Sequence, residues 1–156
     1  IHEGTNELVI GTHGRSIYKI ELDLFYKYLE ASGNQNTISF LNFNEIKFSN
    51  SWGNKIMYSS ETYDINFTID LFSSKNKNFE FEILNENYKT LNQGNFNTDY
   101  GFNKIKIPII IDKKLSGKYL KKIGFKAKIS DDGNRYLSKG EYILKVDNQE
   151  LKFSVK

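Results

Sequence analysis

The residues whose types suit catalysis are few and lie far apart in the sequence. His13 sits in the turn G-T-H-G-R at residues 11–15, and the other histidine is His2. Glu80 and Glu82 are two positions apart in an alternating stretch, so on a strand their Cα atoms would share one face at roughly 7 Å. Paired carboxylates can hydrolyse glycosidic bonds, but this spacing is also typical of a solvated strand face. We expect a structural role for His13 and a solvated face for the two glutamates.

Metal and thiol chemistry find little support in the composition. The chain has no cysteine, which excludes disulfides, thiolate nucleophiles and Cys-ligated metals. The stretch S-D-D-G-N at residues 130–134 is similar in part to a calcium loop, but the run of acidic ligands and the terminal glutamate are missing. Asp-Gly in a hairpin turn accounts for it. The sequence therefore predicts no catalytic residue, no metal and no cofactor.

A binding function has more support. Seven lysines lie between residues 113 and 128 with no acidic residue among them. Such a stretch could bind an acidic polysaccharide, although a solvated loop and strand face is the commoner role of a charge run. Exposed aromatic side chains could add a platform for sugar rings, whereas burial in a core is their usual position. The candidate ligand-binding residues are Trp52, Tyr58, Lys118, Lys121 and Lys122.

Charge and composition limit the other partners. The formal net charge is +3 over 156 residues, and the two arginines are Arg15 and Arg135. Because the planar guanidinium fork is the preferred reader of phosphates and base edges, we expect no nucleic-acid partner. No run approaches the ~20 apolar residues of a membrane-spanning helix, so we expect no membrane span.

Hydrophobic periodicity predicts the elements that must position these residues. Alternating stretches at residues 140–146 and 150–155, separated by Asp147-Asn148-Gln149, predict a closing β-hairpin with one buried face. Two strands at residues 7–10 and 16–21 flank the turn at residues 11–15, and helical spacing over Leu22–Ala31 predicts one short helix. Further strands are predicted at Tyr63–Leu71, Phe79–Ile83, Tyr88–Leu91, Ile105–Ile111 and Ile123–Ile129. Loops are predicted from residue 92 to Tyr100 and over Asp112–Lys122.

Strands and turns at this spacing favour an all-β fold. Turn signals recur every ~8–12 residues after Ile38, which is typical of a sandwich. We predict an immunoglobulin-like or fibronectin type III-like β-sandwich of about seven strands, preceded by a β-hairpin and one short helix. Pro108 makes its strand an edge strand or a bulged one.

Several stretches resemble a known family. N-E-L-V-I-G-T-H-G-R-S-I-Y-K-I, Asn6–Ile20, resembles the last blade segment of sortilin-like, BNR-type β-propeller proteins. In that family a helical connector and a C-terminal sandwich of the FlgD-like or fibronectin type III-like kind follow. S-N-S-W-G-N at Ser49–Asn54 and G-F-N-K-I-K-I at Gly101–Ile107 resemble parts of that sandwich.

The resemblance implies a division of the chain and a role. Residues 1–21 would be a propeller-derived hairpin, 22–37 a helical connector and linker, and 38–156 the C-terminal sandwich. The chain opens without an initiating Met or a signal-peptide pattern, so we expect a piece of a longer, extracellular or cell-surface protein. Its expected role is that of a non-catalytic accessory domain that packs on an upstream propeller.

Two alternatives stay open at this point. One is a carbohydrate-binding module that uses the aromatic and lysine residues named above on a polysaccharide. The other is a C-terminal secretion domain, because the closing hairpin also resembles the sorting domains of the type IX export system. The hairpin strands at residues 7–20 would in either case have unpaired edges, which favours docking or self-association.

Overall fold

The computed structural model describes residues 4–14, 17–33, 37–58, 61, 65, 67–125 and 128–156. The elements in chain order are β1 (Glu7–Gly11), β2 (Ile17–Glu21), α1 (Leu22–Ser32), β3 (Ile38–Phe43), β4 (Phe67–Ser73), β5 (Lys77–Asn85), β6 (Thr90–Thr98), β7 (Gly101–Ile107), β8 (Ile110–Ile111), α2 (Gly117–Lys122), β9 (Arg135–Tyr136), β10 (Gly140–Val146) and β11 (Gln149–Val155). Within this part of the chain, neither helix is long and apolar enough to cross a bilayer.

Two antiparallel sheets form a β-sandwich, as predicted. One sheet has the order β3-β4-β7, and the other has the order β11-β10-β5-β6. The sandwich has seven strands, which in chain order are β3, β4, β5, β6, β7, β10 and β11. Its first, second and fifth strands thus lie in one sheet, and the other four lie in the second. The prediction of an all-β sandwich of about seven strands is confirmed.

Period-2 alternation explains why the two sheets bury a common core. Phe67, Ile69 and Leu71 of β4 are each at most 1% exposed, because every second side chain of a strand points to the same face. They pack in one cluster with inward residues of the opposite sheet. The rings of Phe67 and Phe153 stack across the sheets with centroids 4.6 Å apart, so an aromatic contact joins β4 to β11.

The closing hairpin is the last part of the larger sheet, as predicted. Tyr142 pairs with Phe153 and Val146 with Gln149, which leaves Asp147-Asn148 as a two-residue turn. Asp147 adopts a φ of 50°, a conformation that Asp tolerates better than most side chains. Strand β10 also pairs with β5, so the hairpin obtains the partner strand that an isolated hairpin would need for stability.

The chain end is fixed to the start of the sandwich. After β3 the chain crosses to the other sheet, where Ile46 and Val155 form a parallel bridge. The backbone nitrogen of Phe48 donates to the Lys156 carbonyl at 2.8 Å, and the Lys156 nitrogen donates to the Ile46 carbonyl at 3.0 Å. Residues more than a hundred positions apart therefore close one side of the sandwich.

One predicted loop is a strand. The stretch after Leu91 continues as β6 to Thr98, despite its asparagines and glycine, which disfavour strands. Cross-strand partners compensate for this: the Phe81 ring lies over Gly94, where an added Cβ would be 2.7 Å from the ring. Thr98 donates to the hydroxyl of Ser73 in the opposite sheet at 3.0 Å. Tertiary contacts therefore override the local propensity.

Pro108 ends a strand where the prediction continued it. Strand β7 stops at Ile107 and lies at a sheet edge, as the proline suggested. Because Pro108 cannot donate to a ladder, the chain leaves the sheet there. It resumes as β8, which pairs with β9 instead.

The predictions for the lysine-rich stretch were wrong. The predicted loop over Asp112–Lys122 contains helix α2. Of the predicted strand Ile123–Ile129, residues 126 and 127 lie outside the described part, and residues 123–125 and 128 are not in a strand. Ile123 caps the helix, and Phe125 bonds back to the Leu120 carbonyl at 2.8 Å. Within the described part of that stretch, a bridge with Arg135 is made by Ile129.

The N-terminal hairpin and helix form as predicted and meet the sandwich through α1. The ring of Tyr28 lies 5.2 Å from that of Phe72 and 4.7 Å from that of Phe102, on the outer face of the three-stranded sheet. Leu41 joins this small cluster. Leu22 at the start of the helix is buried, and its nitrogen donates to the Asn6 carbonyl at 2.9 Å.

Candidate functional site

Two clefts share the side chain of Lys128. The first, which we call the turn cleft, has a volume of about 410 Å³ and lies between residues 48–54 and residues 128–138. The second, which we call the helix groove, has a volume of about 500 Å³ and lies beside α2. It is lined by Gly117, Leu120, Lys121, Phe125, Lys128, Ile129 and Arg135. Volumes of this order are typical of small-molecule sites.

The turn cleft is built on a junction between two turns. Gly53 has a φ of 68°, which favours glycine. Its carbonyl accepts a hydrogen bond of 3.0 Å from the nitrogen of Asp132. An added Cβ at Gly53 would lie 2.5 Å from the Tyr136 ring and 2.7 Å from the Asp132 carboxyl carbon. Turn 49–54 is therefore held against turn 130–134 at a distance that only glycine permits.

Asp132 is the centre of this junction. Its carboxylate accepts from the Tyr136 hydroxyl at 2.5 Å, and from the backbone nitrogen and side-chain amide of Asn134, both at 2.9 Å. Burial raises the pKa of Asp132, but the hydrogen bonds from Tyr136 and Asn134 outweigh it, with a further contribution from the charge of Lys113. The pKa of this carboxyl therefore lies below its usual value.

Trp52 packs between the junction and the hydrophobic core. Its ring lies 5.3 Å from that of Phe48 and 6.1 Å from that of Tyr136, and the residue is 8% exposed. It lines the turn cleft while belonging to the core. The structure thus places this candidate residue at a cleft wall with most of its surface already packed.

Helix α2 is defined at both ends by its own sequence. Ser116 caps the start, since its hydroxyl accepts from the Tyr119 nitrogen at 3.1 Å. At the other end, Gly124 has a φ of 79° and donates to the Lys121 carbonyl at 3.1 Å, while Phe125 donates to Leu120. This pair of bonds is a Schellman motif. It also brings the side chains of Leu120 and Phe125 to the same groove.

Helical spacing decides which lysines face the helix groove. Gly117, Leu120 and Lys121 line it, because residues three and four apart share a helix face. Lys118 and Lys122 are also four apart and do not line the groove. All three candidate lysines are exposed, but the structure brings only Lys121 among them to a cleft wall.

Arg135 completes the helix groove from the opposite side. It is held by pairing with Ile111 and by a hydrogen bond of 3.3 Å from its Nη1 to the Leu115 carbonyl. The groove therefore has an apolar lining edged by cations from Lys121, Lys128 and Arg135. Sequence reasoning included Lys128 only as one of the seven lysines of the basic stretch, and it did not select Arg135, although Arg135 is one of two arginines in the chain.

The other candidate residues lie elsewhere. Tyr58 is fully exposed, with a φ of 65°, and lines neither cleft. Glu80 and Glu82 lie in β5 opposite Asn95 and Gln93, as expected for one strand face. His13 is exposed in its turn. Among the residues that the structure describes, no group of three His, Asp or Glu could hold a metal ion.

A second surface lies outside the sandwich. Large apolar side chains on the first hairpin and the first helix are between 41% and 78% exposed. We call them the N-terminal apolar surface: Val9, Ile10, Ile17, Tyr18, Phe25, Tyr26 and Leu29. The two-stranded sheet of β1 and β2 is not extended by a third strand from the described residues.

The pairing register shows that both faces of this hairpin carry apolar groups. Ile10 pairs with Tyr18, which places these two side chains on one face. Val9 and Ile17 have the opposite parity and lie on the other face. That second face also carries the ion pair between Glu7 and Lys19. Exposed apolar side chains therefore lie on both faces of the hairpin, and on the second face they share it with charged groups.

No protein-family model matches the chain, and no curated protein matches it.

Proposed function

We propose that this chain is a non-catalytic accessory region at the C-terminus of an exported β-propeller protein. Its β-sandwich would hold a propeller-derived hairpin in place, and its role would be domain packing. The likeness of Asn6–Ile20 to the last blade segment of sortilin-like, BNR-type propellers supports the choice of partner. An extracellular or cell-surface location is part of the same proposal.

The observation that carries this proposal is that large apolar side chains are exposed on both faces of the hairpin, although the face of Val9 and Ile17 also carries the Glu7–Lys19 ion pair. Blades of a propeller are four-stranded sheets arranged side by side around a channel. A blade strand therefore has neighbours on both faces and at its edges. The cross-strand pair Ile10–Tyr18 on one face, with Val9 and Ile17 on the other, fits such surroundings. A hairpin that packed only on its own sandwich would require one apolar face.

The attachment of the helix supports a fixed geometry rather than a free linker. Tyr28 packs against Phe72 and Phe102, and Leu22 is buried where the hairpin meets the helix. The Asn6 side-chain amide also donates to the Asp23 carboxylate. The sandwich is thus joined to the hairpin through packed side chains. Such contacts would let it stabilise the blade that the hairpin completes.

Two serine substitutions on opposite hairpin faces test the proposal. Val9→Ser and Ile10→Ser should each lower the unfolding temperature of the propeller in the parent protein, because each removes an apolar contact with a different neighbour. The same changes should leave the sandwich transition of the present chain unchanged. Ile129→Ser is the matched control, since Ile129 is a similarly exposed isoleucine on the sandwich. If both hairpin variants leave the parent unchanged, the proposal fails.

A further inference from the structure

We propose that the helix groove binds a small amphiphilic organic anion, with its apolar body on Leu120, Phe125 and Ile129 and its anionic head on the cationic rim. The inference is independent of the propeller and concerns only the sandwich. Small-molecule sites are typically concave and mainly apolar, with a few well-placed polar groups. The helix groove has this composition.

Charge complementarity selects an anion. Lys121, Lys128 and Arg135 edge the groove, and no residue from 113 to 130 is acidic. The acids that flank this stretch make hydrogen bonds elsewhere: Asp112 accepts from the backbone nitrogen of Lys114 at 2.8 Å, and Asp131 accepts from the backbone nitrogen of Lys55 at 3.1 Å. Within the described part of the chain, no ion pair involves the three rim cations. An anionic head group would supply the missing counter-charge.

The lining favours a molecule with an apolar body over a plain anion. Ile129 is 54% exposed although it borders a concave surface, and burying it under a ligand would remove apolar area from water. A fully hydroxylated glycan would place polar groups against Leu120 and Phe125. A carboxylate, sulfonate or phosphate monoester with an aliphatic or aromatic body would place its apolar part on the apolar lining and its charge beside the cationic rim.

The groove is held in shape by the fold around it. The Schellman motif fixes Phe125 relative to Leu120, and Arg135 is fixed by its pairing with Ile111 and its bond to Leu115. A guanidinium held in this way loses less freedom when it binds a carboxylate in a forked geometry. Preorganisation of this kind contributes to affinity because fewer groups must be ordered on binding.

The test is an amide-shift titration of the ¹⁵N-labelled chain with octanoate, and with octan-1-ol and octylammonium as uncharged and cationic analogues. Octanoate should give saturable shifts at residues 117–125 and 128–135. Each analogue should bind at least about tenfold more weakly, the loss expected when a charge-assisted bond is removed. Equal binding of octan-1-ol, or shifts confined to residues 7–29, would overturn the proposal.

Two double charge reversals are compared: one at groove lysines, and a matched control at two lysines of α2 that do not line the groove. The double variant Lys121→Glu/Lys128→Glu should weaken octanoate binding at least about tenfold, while Lys118→Glu/Lys122→Glu, with the same change of net charge, should alter it less than twofold. Arg135→Gln should also weaken it. If both double variants weaken octanoate equally, the effect is general charge and the groove is not the site. An acidic polysaccharide is the competing ligand: alginate oligosaccharide that binds the groove more tightly than octanoate would likewise contradict the proposal.

Discussion

The carbonyl of Gly53 and the backbone nitrogen of Asp132 are joined by a 3.0 Å hydrogen bond that ties two turns nearly eighty residues apart. Space at Gly53 is so limited that the Tyr136 ring and the Asp132 carboxyl group leave no room for a Cβ. The carboxyl group in turn is held by Tyr136 and Asn134, so it cannot move aside without losing these bonds. The junction thus depends on a glycine at one turn and a network of donors at the other.

Gly53→Ala should destabilise the sandwich by about 2–4 kcal/mol, because it adds backbone strain and a steric clash with a hydrogen-bonded network. Urea unfolding at neutral pH measures this. Gly133→Ala is the matched control, with a similar φ of 77° and nothing within 4 Å of the added methyl. It should cost only about 1 kcal/mol. Equal losses for the two variants would show that the crowding at Gly53 has no energetic consequence.

Tyr136→Phe should lower stability at neutral pH by about 1.5–3 kcal/mol, the range for a hydrogen bond to a charged group. Because the folded-state pKa of Asp132 is lowered, its contribution is present above the unfolded aspartate pKa and is lost as pH falls through the folded pKa. Removing the hydroxyl raises that folded pKa toward its ordinary value. The stability gap between wild type and variant should therefore narrow as the pH is lowered from 7 to about 3, as followed by urea unfolding. A gap that stays constant would contradict the assignment to Asp132.

Tyr28→Ala should release α1 from the sandwich without unfolding the sandwich itself. The ring joins Phe72 and Phe102 on the outer face of the smaller sheet, so its loss removes the aromatic contacts that the helix makes there. Hydrogen exchange of residues 22–32 should accelerate, while exchange in β4 and β10 stays slow. Tyr26→Ala is the control, because Tyr26 is half exposed on the same helix and contacts Phe25 instead. Matching acceleration in both variants would exclude Tyr28 as the anchor.

Gly124→Ala should weaken helix α2 by about 1 kcal/mol through its positive φ alone, since the added methyl meets no atom within 4 Å. The Schellman bonds of Gly124 and Phe125 should be lost first. Amide exchange over residues 117–125 measures the effect, and octanoate binding should weaken in proportion if the helix positions Leu120 and Lys121. An unchanged exchange rate would mean that the motif does not stabilise the helix.

The fold could be predicted largely because apolar and polar residues alternate along several strands. Every second residue is buried from Phe67 to Leu71 in β4 and from Phe79 to Ile83 in β5, and the turn at Asp147-Asn148 separates the two apolar runs of the closing hairpin. The predicted strand Tyr88–Leu91 covers only the start of β6. The rest of β6 was predicted as a loop because its asparagines and Gly94 disfavour a strand locally, whereas its stability comes from Phe81 and Ser73, which are distant in sequence. Such compensation is visible only once the sheet register is known.

Helix α2 could have been found from its ends. Ser116 at the N-cap, Gly124 at C′ and two lysines in the last turn are ordinary helix boundary signals. They were outweighed by two other patterns: the dense positive charge indicated a loop, and the alternation of Ile123, Phe125 and Ile129 indicated a strand. The helix groove itself could not be predicted, because it joins α2 to Arg135, and no local pattern indicates that these segments meet.

Hydrogen exchange of residues 7–21, in this chain and in the proposed parent protein with its propeller, shows whether the hairpin completes a blade. We expect rapid exchange at the unpaired edges of β1 and β2 in this chain. In the parent we expect strong protection of the same amides, at a level similar to that of a propeller blade. Equally rapid exchange of these amides in both proteins would contradict the claim that the hairpin completes an upstream domain.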